Sequence, residues 1–597
     1  MFDKEYISRL FTLNPTIKAL LQDAQNPRMA RNLLRVYVDE VSQMLNKNSQ
    51  KIQPLEWVLQ NKCLQALKRI ISVRSERLSK FSIVKLLWLL ANGYDNDLPK
   101  DLDDGFFEEM IHLLLGIHGK SGIYDDERIP EFANLHGRQA AKIRSIKLDE
   151  LGLKNKDYIL KYPSGMDEDI IEQRAENRKF ILAQYGASEK DWNNYLWQIR
   201  HIIRNADELE KLITLTDEEK TAIKKARGGK LPFGITPYYV SLMDRDPNRR
   251  RDHAVRAQVI PPLNYVDAML AHRDDRESSF DFMLEHDTSP IDLITRRYPM
   301  IVILKPYNTC SQICVYCQRN WEIDDVYAKR ALATKSKIMQ AIDWLREHPS
   351  INEVLVTGGD PLVMRDERID FVLSELAKLE HIERIRIGSR TPVVLPQRYT
   401  DSLVNTIAKY HVPGKREIVL VTHFEHPYEI TPESMQAVQK IRLKGMSAYN
   451  QAVFTVENSR RFELVALRRH LRLIGVDPYY SFNTKGKEET RNYRVPLARL
   501  QQEIEEEARL FPGLVRTDEA VYNVPGLGKN YIRAGQNHSL LTILPNGRRV
   551  YEFHPWEKNL SLADTYIDTD VSIYDYLKEL ERRGENIEDY KTIWYYF

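Results

Sequence analysis

Hydrophobic positions follow two different rhythms along the chain, and the change between them divides it. Up to about residue 185, apolar side chains recur every three or four positions, as in RMARNLLRVYVDEVSQML (28–45) and GFFEEMIHLLLGI (105–117). That spacing gathers them on one face of a 3.6-residue helix, so residues 1–185 read as an all-α extension. No cluster of catalytic residue types accompanies them. A further helical stretch, 186–297, leads into a region built differently.

From residue 298 short apolar runs alternate with amphipathic stretches. Strands are predicted at 300–307, 352–357, 384–389, 417–424, 449–455 and 478–483, and helices at 331–348, 367–379, 396–410, 432–445 and 460–475. Such alternation spells parallel βα units. The expectation is an α/β fold, a partial (βα)6 barrel over 298–490, with 491–597 as a C-terminal region. Cys310, the run Gly358-Gly359-Asp360, Ser389-Arg390, His423, Gln451 and Lys485 all fall at or just past the C-terminal ends of these strands. In a βα-barrel that edge carries the active site.

Composition removes several alternatives. Lys+Arg 87 against Asp+Glu 85 leaves a formal charge of +2, so no global field favours nucleic acid or an anionic membrane. The greasiest run, Ile83 to Ala91, is interrupted by Lys85 and falls far short of the roughly 20 apolar residues needed to span a bilayer. MFDKEYISRL, at the start, is charged from its third residue and lacks the apolar stretch of a secretion signal. Of four cysteines only Cys63 lies outside one short segment, which leaves no disulfide framework and points to a reducing cytoplasm.

That segment, NTCSQICVYCQRN (308–320), places Cys310, Cys314 and Cys317 at spacing C-x3-C-x2-C on the loop after the first barrel strand. Three thiolates can bind three irons of a [4Fe–4S] cluster and leave the fourth iron open. A structural zinc ion wants four ligands, and no fourth cysteine or histidine stands nearby. The spacing resembles the radical S-adenosylmethionine superfamily, in which the open iron is chelated by the methionyl amino and carboxylate groups. TGGDPL (357–362) resembles that superfamily's glycine-rich motif, and its glycines allow a backbone to come close to a ligand. By the same resemblance Gly358, Gly359, Asp360, Ser389, His423 and Gln451 belong to the S-adenosylmethionine region.

IRIGSRTPVVLPQR (385–398), THFEHPYEIT (422–431), YNQAVF (449–454) and VDPYYSF (476–482) are similar to the lysine 2,3-aminomutase family, as is GITPYYVSLMDRDP (234–247) upstream. The likeness runs from about 190 to 555 and omits the first 185 residues. It implies a pyridoxal 5′-phosphate-dependent isomerase that moves an α-amino group to carbon 3. It also implies an amino acid as substrate, a reducing donor such as flavodoxin or ferredoxin, and a homo-oligomer. In NVPGLGKNY (523–531) it makes Lys529 the pyridoxal lysine, on a loop one glycine shorter than the family's. Ile301 stands where the family aims an arginine at pyridoxal phosphate, and Val315-Tyr316 where it usually carries Arg-His.

The resemblance also bears on the substrate. Arg319, two residues after the third cysteine, takes the family position that binds the α-carboxylate, and a planar guanidinium suits it. Two aspartates that receive the ε-ammonium in lysine-specific members are replaced by Lys485 and Asn523. These replacements resemble the glutamate 2,3-aminomutase branch, so L-glutamate to β-glutamate is the expected reaction. The alternatives are L-lysine to β-lysine in a rearranged pocket, or a catalytically silent member acting as a binding or regulatory protein.

Overall fold

The computed structural model describes residues 2–48, 52–124, 134–246, 251–483, 488–534, 538–555 and 564–597. All six expected strands are present: β2 (Ile301–Tyr307), β3 (Glu353–Gly358), β4 (Arg384–Gly388), β5 (Glu417–Thr422), β6 (Ser447–Phe454) and β7 (Asp477–Asn483), preceded by a short β1 (Ile294–Thr295). From β2 to β7 each strand pairs in parallel with the next, in sequence order, while β1 is antiparallel to β2. An eighth strand that the sequence pattern did not suggest, β8 (Glu519–Val524), adds to β7 in parallel register, Tyr480 opposite Glu519.

Val- and Ile-rich strands suit this arrangement because a parallel sheet is covered on both faces. β5 is buried along almost its whole length. Between strands run helices Lys335–Arg346, Asp366–Ala377, Asp401–Ala408, Pro432–Arg442 and Glu463–Leu473. Thr334, Thr400 and Thr431 cap three of them by accepting a backbone N–H of the first turn. The helix expected over 396–410 is broken: a 3-10 turn at Pro396–Arg398 precedes the helix proper at Asp401. Tyr399 is non-helical and Thr400 extended there, and the Thr400 cap sets the true start.

Contacts divide the chain into two units. One comprises 157–494 and 511–528 and contains β1 to β8; the chain leaves it at Gly528, the head of β9 (Gly528–Tyr531). The other gathers 1–156, 495–510 and 529–597. Its N-terminal part is helical as expected, and helix Asp104–Ile117 packs on helices Glu5–Leu13, Pro54–Ile70 and Ile573–Arg582. A three-stranded antiparallel sheet, β10 (His538–Ile543), β11 (Arg549–Phe553) and β12 (Tyr566–Thr569), lies in the same unit. At the start of β11 the buried Arg549 donates from Nε and Nη2 to Glu109, at 2.9 Å each. Division along the chain at 185, 297 and 490 therefore differs from grouping in space, because residues from both ends share one core. Among the described residues no helix is long and apolar enough to cross a membrane.

Candidate active site

The cysteine loop is pinned by backbone hydrogen bonds from the protein itself. Ile313 N donates to Gly234 O (2.9 Å) and Val315 N to Gln258 O (2.7 Å). Asp360 N donates to Thr309 O (2.9 Å), and Gly359 N to Tyr307 O (2.8 Å). Val315 is buried with Ala257, Tyr265 and Tyr493, and the Tyr316 ring meets Tyr493 edge-on at 4.7 Å. The Val-Tyr pair thus serves as an apolar anchor for the loop.

The two glycines have a sharper role than the sequence could show. A Cβ on Gly358, at φ 119°, would lie 2.6 Å from Tyr307 O, and one on Gly359 would lie 2.1 Å from Thr309 O. Their missing side chains let β3 close against the backbone that delivers Cys310.

All three cysteines line one cavity of about 320 Å³. The strands and their ends supply other walls: Gly358 ending β3 with Gly359 and Asp360 after it, Ser389 and Arg390 after β4, His423 and Glu425 after β5, Gln451 within β6, Asn483 ending β7 and Asn523 in β8. Arg319, Tyr316 and Gln258 add to the polar lining. The cavity therefore brings together Cys310, Cys314, Cys317, Gly358, Gly359, Asp360, Ser389, His423, Gln451, Arg319 and Asn523. Lys485 lies outside the described residues. Lys529 sits in the other unit, on β9, just past a turn in which Gly526 and Gly528 adopt left-handed φ of 69° and 83°.

Charge in the cavity is tightly placed. Asp360 is buried and accepts from Ser389 Oγ (2.7 Å), Arg390 N (2.8 Å) and Leu362 N (3.1 Å). Burial outweighs those bonds and lifts its carboxyl to about 6. His423 Nδ1 donates to Gln451 O (3.1 Å), while burial and Arg390 depress its imidazole to about 4, leaving it neutral at pH 7. Burial raises Glu425 to about 8, its Oε2 accepting from Val453 N (2.6 Å).

Two residues carry more of the site than the sequence alone assigned to them. Arg390, legible only as a strand-end position, donates from Nη1 to Cys314 Sγ (2.7 Å), from Nε to His423 O (3.1 Å) and from Nη2 to Glu429 (2.7 Å) and Gln258. Glu425 was missed, and its place two positions after His423 on the same loop was the available signal.

Burial drives the Cys310 thiol well above its ordinary value, with Asp360 and the other two sulfurs adding repulsion. Burial raises the Cys314 thiol as well, and thiolates buried this close together need a cationic centre to compensate them, so the donor set fits an iron–sulfur cluster. Another set of side chains at ligand spacing, His253, His426 and Glu463, is already occupied. Arg460 Nη2 contacts Glu463 Oε1 (2.5 Å) and His253 Nε2 (3.1 Å), so a guanidinium stands where a cation would.

Residues 304–461 match the Radical SAM superfamily. Over 98% of this chain and 97% of the other, the sequence is 42% identical to an uncharacterized KamA family protein of Methanocaldococcus jannaschii. It is 35% identical to glutamate 2,3-aminomutase of Clostridioides difficile, over 58% of this chain and 78% of that one. With L-lysine 2,3-aminomutase of Clostridium subterminale the identity is 36%, over 54% and 73%.

Proposed function

The chain belongs to the KamA family of radical S-adenosylmethionine proteins, and from that premise we propose that it is an amino acid 2,3-aminomutase acting on an acidic substrate, L-glutamate. The observation that carries this reading is the single cavity lined by the three cysteines, the glycine pair, Arg319 and Asn523. Members of the family use a [4Fe–4S] cluster, S-adenosylmethionine and pyridoxal phosphate. When bound, these supply a hydrogen-abstracting radical and a conjugated π-system through which nitrogen can migrate.

The chain's own residues position and exclude. Cys310, Cys314 and Cys317 would hold iron, with Arg390 donating to the second sulfur. Gly358, Gly359, Asp360, Ser389, His423 and Gln451 would shape the S-adenosylmethionine end of the cavity. Lys529 would hold pyridoxal phosphate, and the left-handed turn at Gly526 and Gly528 fits a lysine presented on a tight loop. Arg319 would receive the α-carboxylate.

Identity of 35% to a glutamate enzyme and 36% to a lysine enzyme does not separate the substrates. The residues at the two substituted positions support the acidic substrate. Asn523 in the cavity wall is a neutral hydrogen-bonding amide, and Lys485 would repel a distal ammonium. Leaving a buried charge unpaired costs about 3–5 kcal/mol, which is enough to select the carboxylate. The test is to incubate anaerobically reconstituted, reduced enzyme with S-adenosylmethionine and labelled glutamate or lysine. Conversion of lysine without glutamate would overturn the substrate assignment, and conversion of neither would overturn the activity.

A further inference from the structure

Arg319 does not stand alone against the cavity. Its Nε donates to Glu285 Oε1 and Oε2 at 3.0 and 3.1 Å, and its Nη2 lies 3.0 Å from Oε1. Glu285 is almost fully buried and would cancel the guanidinium charge if nothing balanced it. Arg297 Nη2 stands 3.8 Å from Glu285, and Lys305 Nζ stands 3.6 Å from it and 3.0 Å from Glu322 Oε1. Glu322 Oε2 in turn lies 3.9 Å from Arg319 Nε. Three cations thus face two carboxylates within 4.0 Å, one net positive charge among these five groups, while the buried Asp281 adds a further carboxylate near Arg297.

Lys305 occupies a telling place. It lies on β2 on the same face as Ile303, which lines the cavity, and its Cβ packs where Gly358 lacks one. Gly358 O in turn accepts from Arg319 Nη1 at 3.4 Å. The lysine side chain is only 13% exposed, so its charge is weakly screened. Without it these five groups would sum to zero, and an anion reaching Arg319 would meet a guanidinium already balanced by Glu285 and Glu322. Glu285 is held below its ordinary carboxylate range by Arg319, Arg297 and Lys305 despite its burial, so it stays an anion that must be offset. Arg297 Nε and Nη2 are buried without a hydrogen-bond partner, Nη2 reaching Glu285 only at ion-pair distance.

We propose that Lys305 is a positioning residue for anion recognition: by balancing Glu322 and sharing Glu285 Oε2, it leaves Arg319 the net charge with which to bind the substrate α-carboxylate. The aminomutase reading supplies only the identity of that ligand. Because lysine and glutamate share the α-carboxylate, the inference does not depend on which is the substrate.

The experiment measures calorimetric binding of glutamate, lysine and their α-amides to the reconstituted holoprotein, for wild type, Lys305→Gln, Lys305→Arg and Glu322→Gln. Charges roughly 6–12 Å apart at an effective dielectric near 20 predict that Lys305→Gln weakens the free acids by about tenfold to a hundredfold. The α-amides should change little, and Lys305→Arg should restore most of the loss. Glu322→Gln, which removes an anion, should tighten the free acids by a similar factor. Equal loss for acid and amide in Lys305→Gln would mean a merely structural role and overturn the proposal. So would a change confined to pyridoxal phosphate affinity, or the absence of any gain in Glu322→Gln. A wild type that binds no amino acid overturns both this proposal and the activity. One that binds without turnover overturns only the activity.

Discussion

Replacing Gly359 by alanine should empty the metal site without unfolding the protein. The new Cβ would lie 2.1 Å from Thr309 O, 2.4 Å from Thr309 C and 2.5 Å from Thr309 N, all backbone atoms, whereas ordinary contact begins at 3.4 Å. The Thr309 backbone must therefore move by about 1.3 Å, the difference between those contacts. Thr309 precedes Cys310, and metal–ligand distances tolerate only about ±0.2 Å. The energetic cost is modest by comparison. Overpacking typically costs about 1–3 kcal/mol, and losing the Asp360 N to Thr309 O bond adds roughly 1 kcal/mol. That total is below the stability of most native domains, about 5–15 kcal/mol. Iron and sulfide analysis after anaerobic reconstitution, with the visible charge-transfer absorption, should show severe loss of cluster. Circular dichroism should show native secondary structure and a modestly lower Tm. Gly513→Ala, where a Cβ meets nothing within 4 Å, should load fully. A Gly359→Ala protein with a full iron complement and wild-type Tm would refute the reasoning.

Three further outcomes are expected. Arg390→Lys keeps the charge but loses the fork that reaches Cys314 Sγ, so the cluster's midpoint potential should move negative in an EPR-monitored titration; an unchanged potential would count against that bond. Glu425, raised from 4.5 to about 8, keeps its proton in the fold, so the stability it contributes is full below pH 4.5 and is lost as pH rises toward 8. Glu425→Gln should thus raise the apoprotein's Tm at pH 8, by up to roughly 4 kcal/mol of stability, and leave it unchanged near pH 4.5. Arg549→Met leaves Glu109 buried and unpaired, so denaturant unfolding should show a loss of about 3–5 kcal/mol, and the double variant with Glu109→Met should recover much of it.

The barrel was legible because its signals are local. Most strands from β2 to β7 are short runs rich in apolar residues, and three of the five helices between them carry threonine caps visible in the sequence. The cysteine spacing and the strand-end positions of Asp360 and His423 mark out one site through neighbouring residues alone, whereas Gln451, expected at a strand end, lies within β6. What stayed hidden depends on distant partners. EAVYNV looks unremarkable until Asn483 and Tyr480 pair with it as β8. Glu425 is ordinary until burial beside Arg390 changes its acidity. Lys305 reads as an interruption in a strand until Glu285 and Glu322 are brought against it. Nor could periodicity show that the first 156 residues share a core with the last 69, because no spacing rule links segments so far apart.

That discontinuous unit sets a timetable for biosynthesis. Its first segment leaves the ribosome long before residues 529–597 exist. At ~5–20 residues per second the interval is on the order of twenty seconds to more than a minute. During that time helix Asp104–Ile117 has no Ile573–Arg582 to cover it, and Glu109 has no Arg549. Nascent chains should accordingly lean on chaperones during that interval, and a message cut before codon 529 should yield an aggregation-prone product even though every cysteine is already in place.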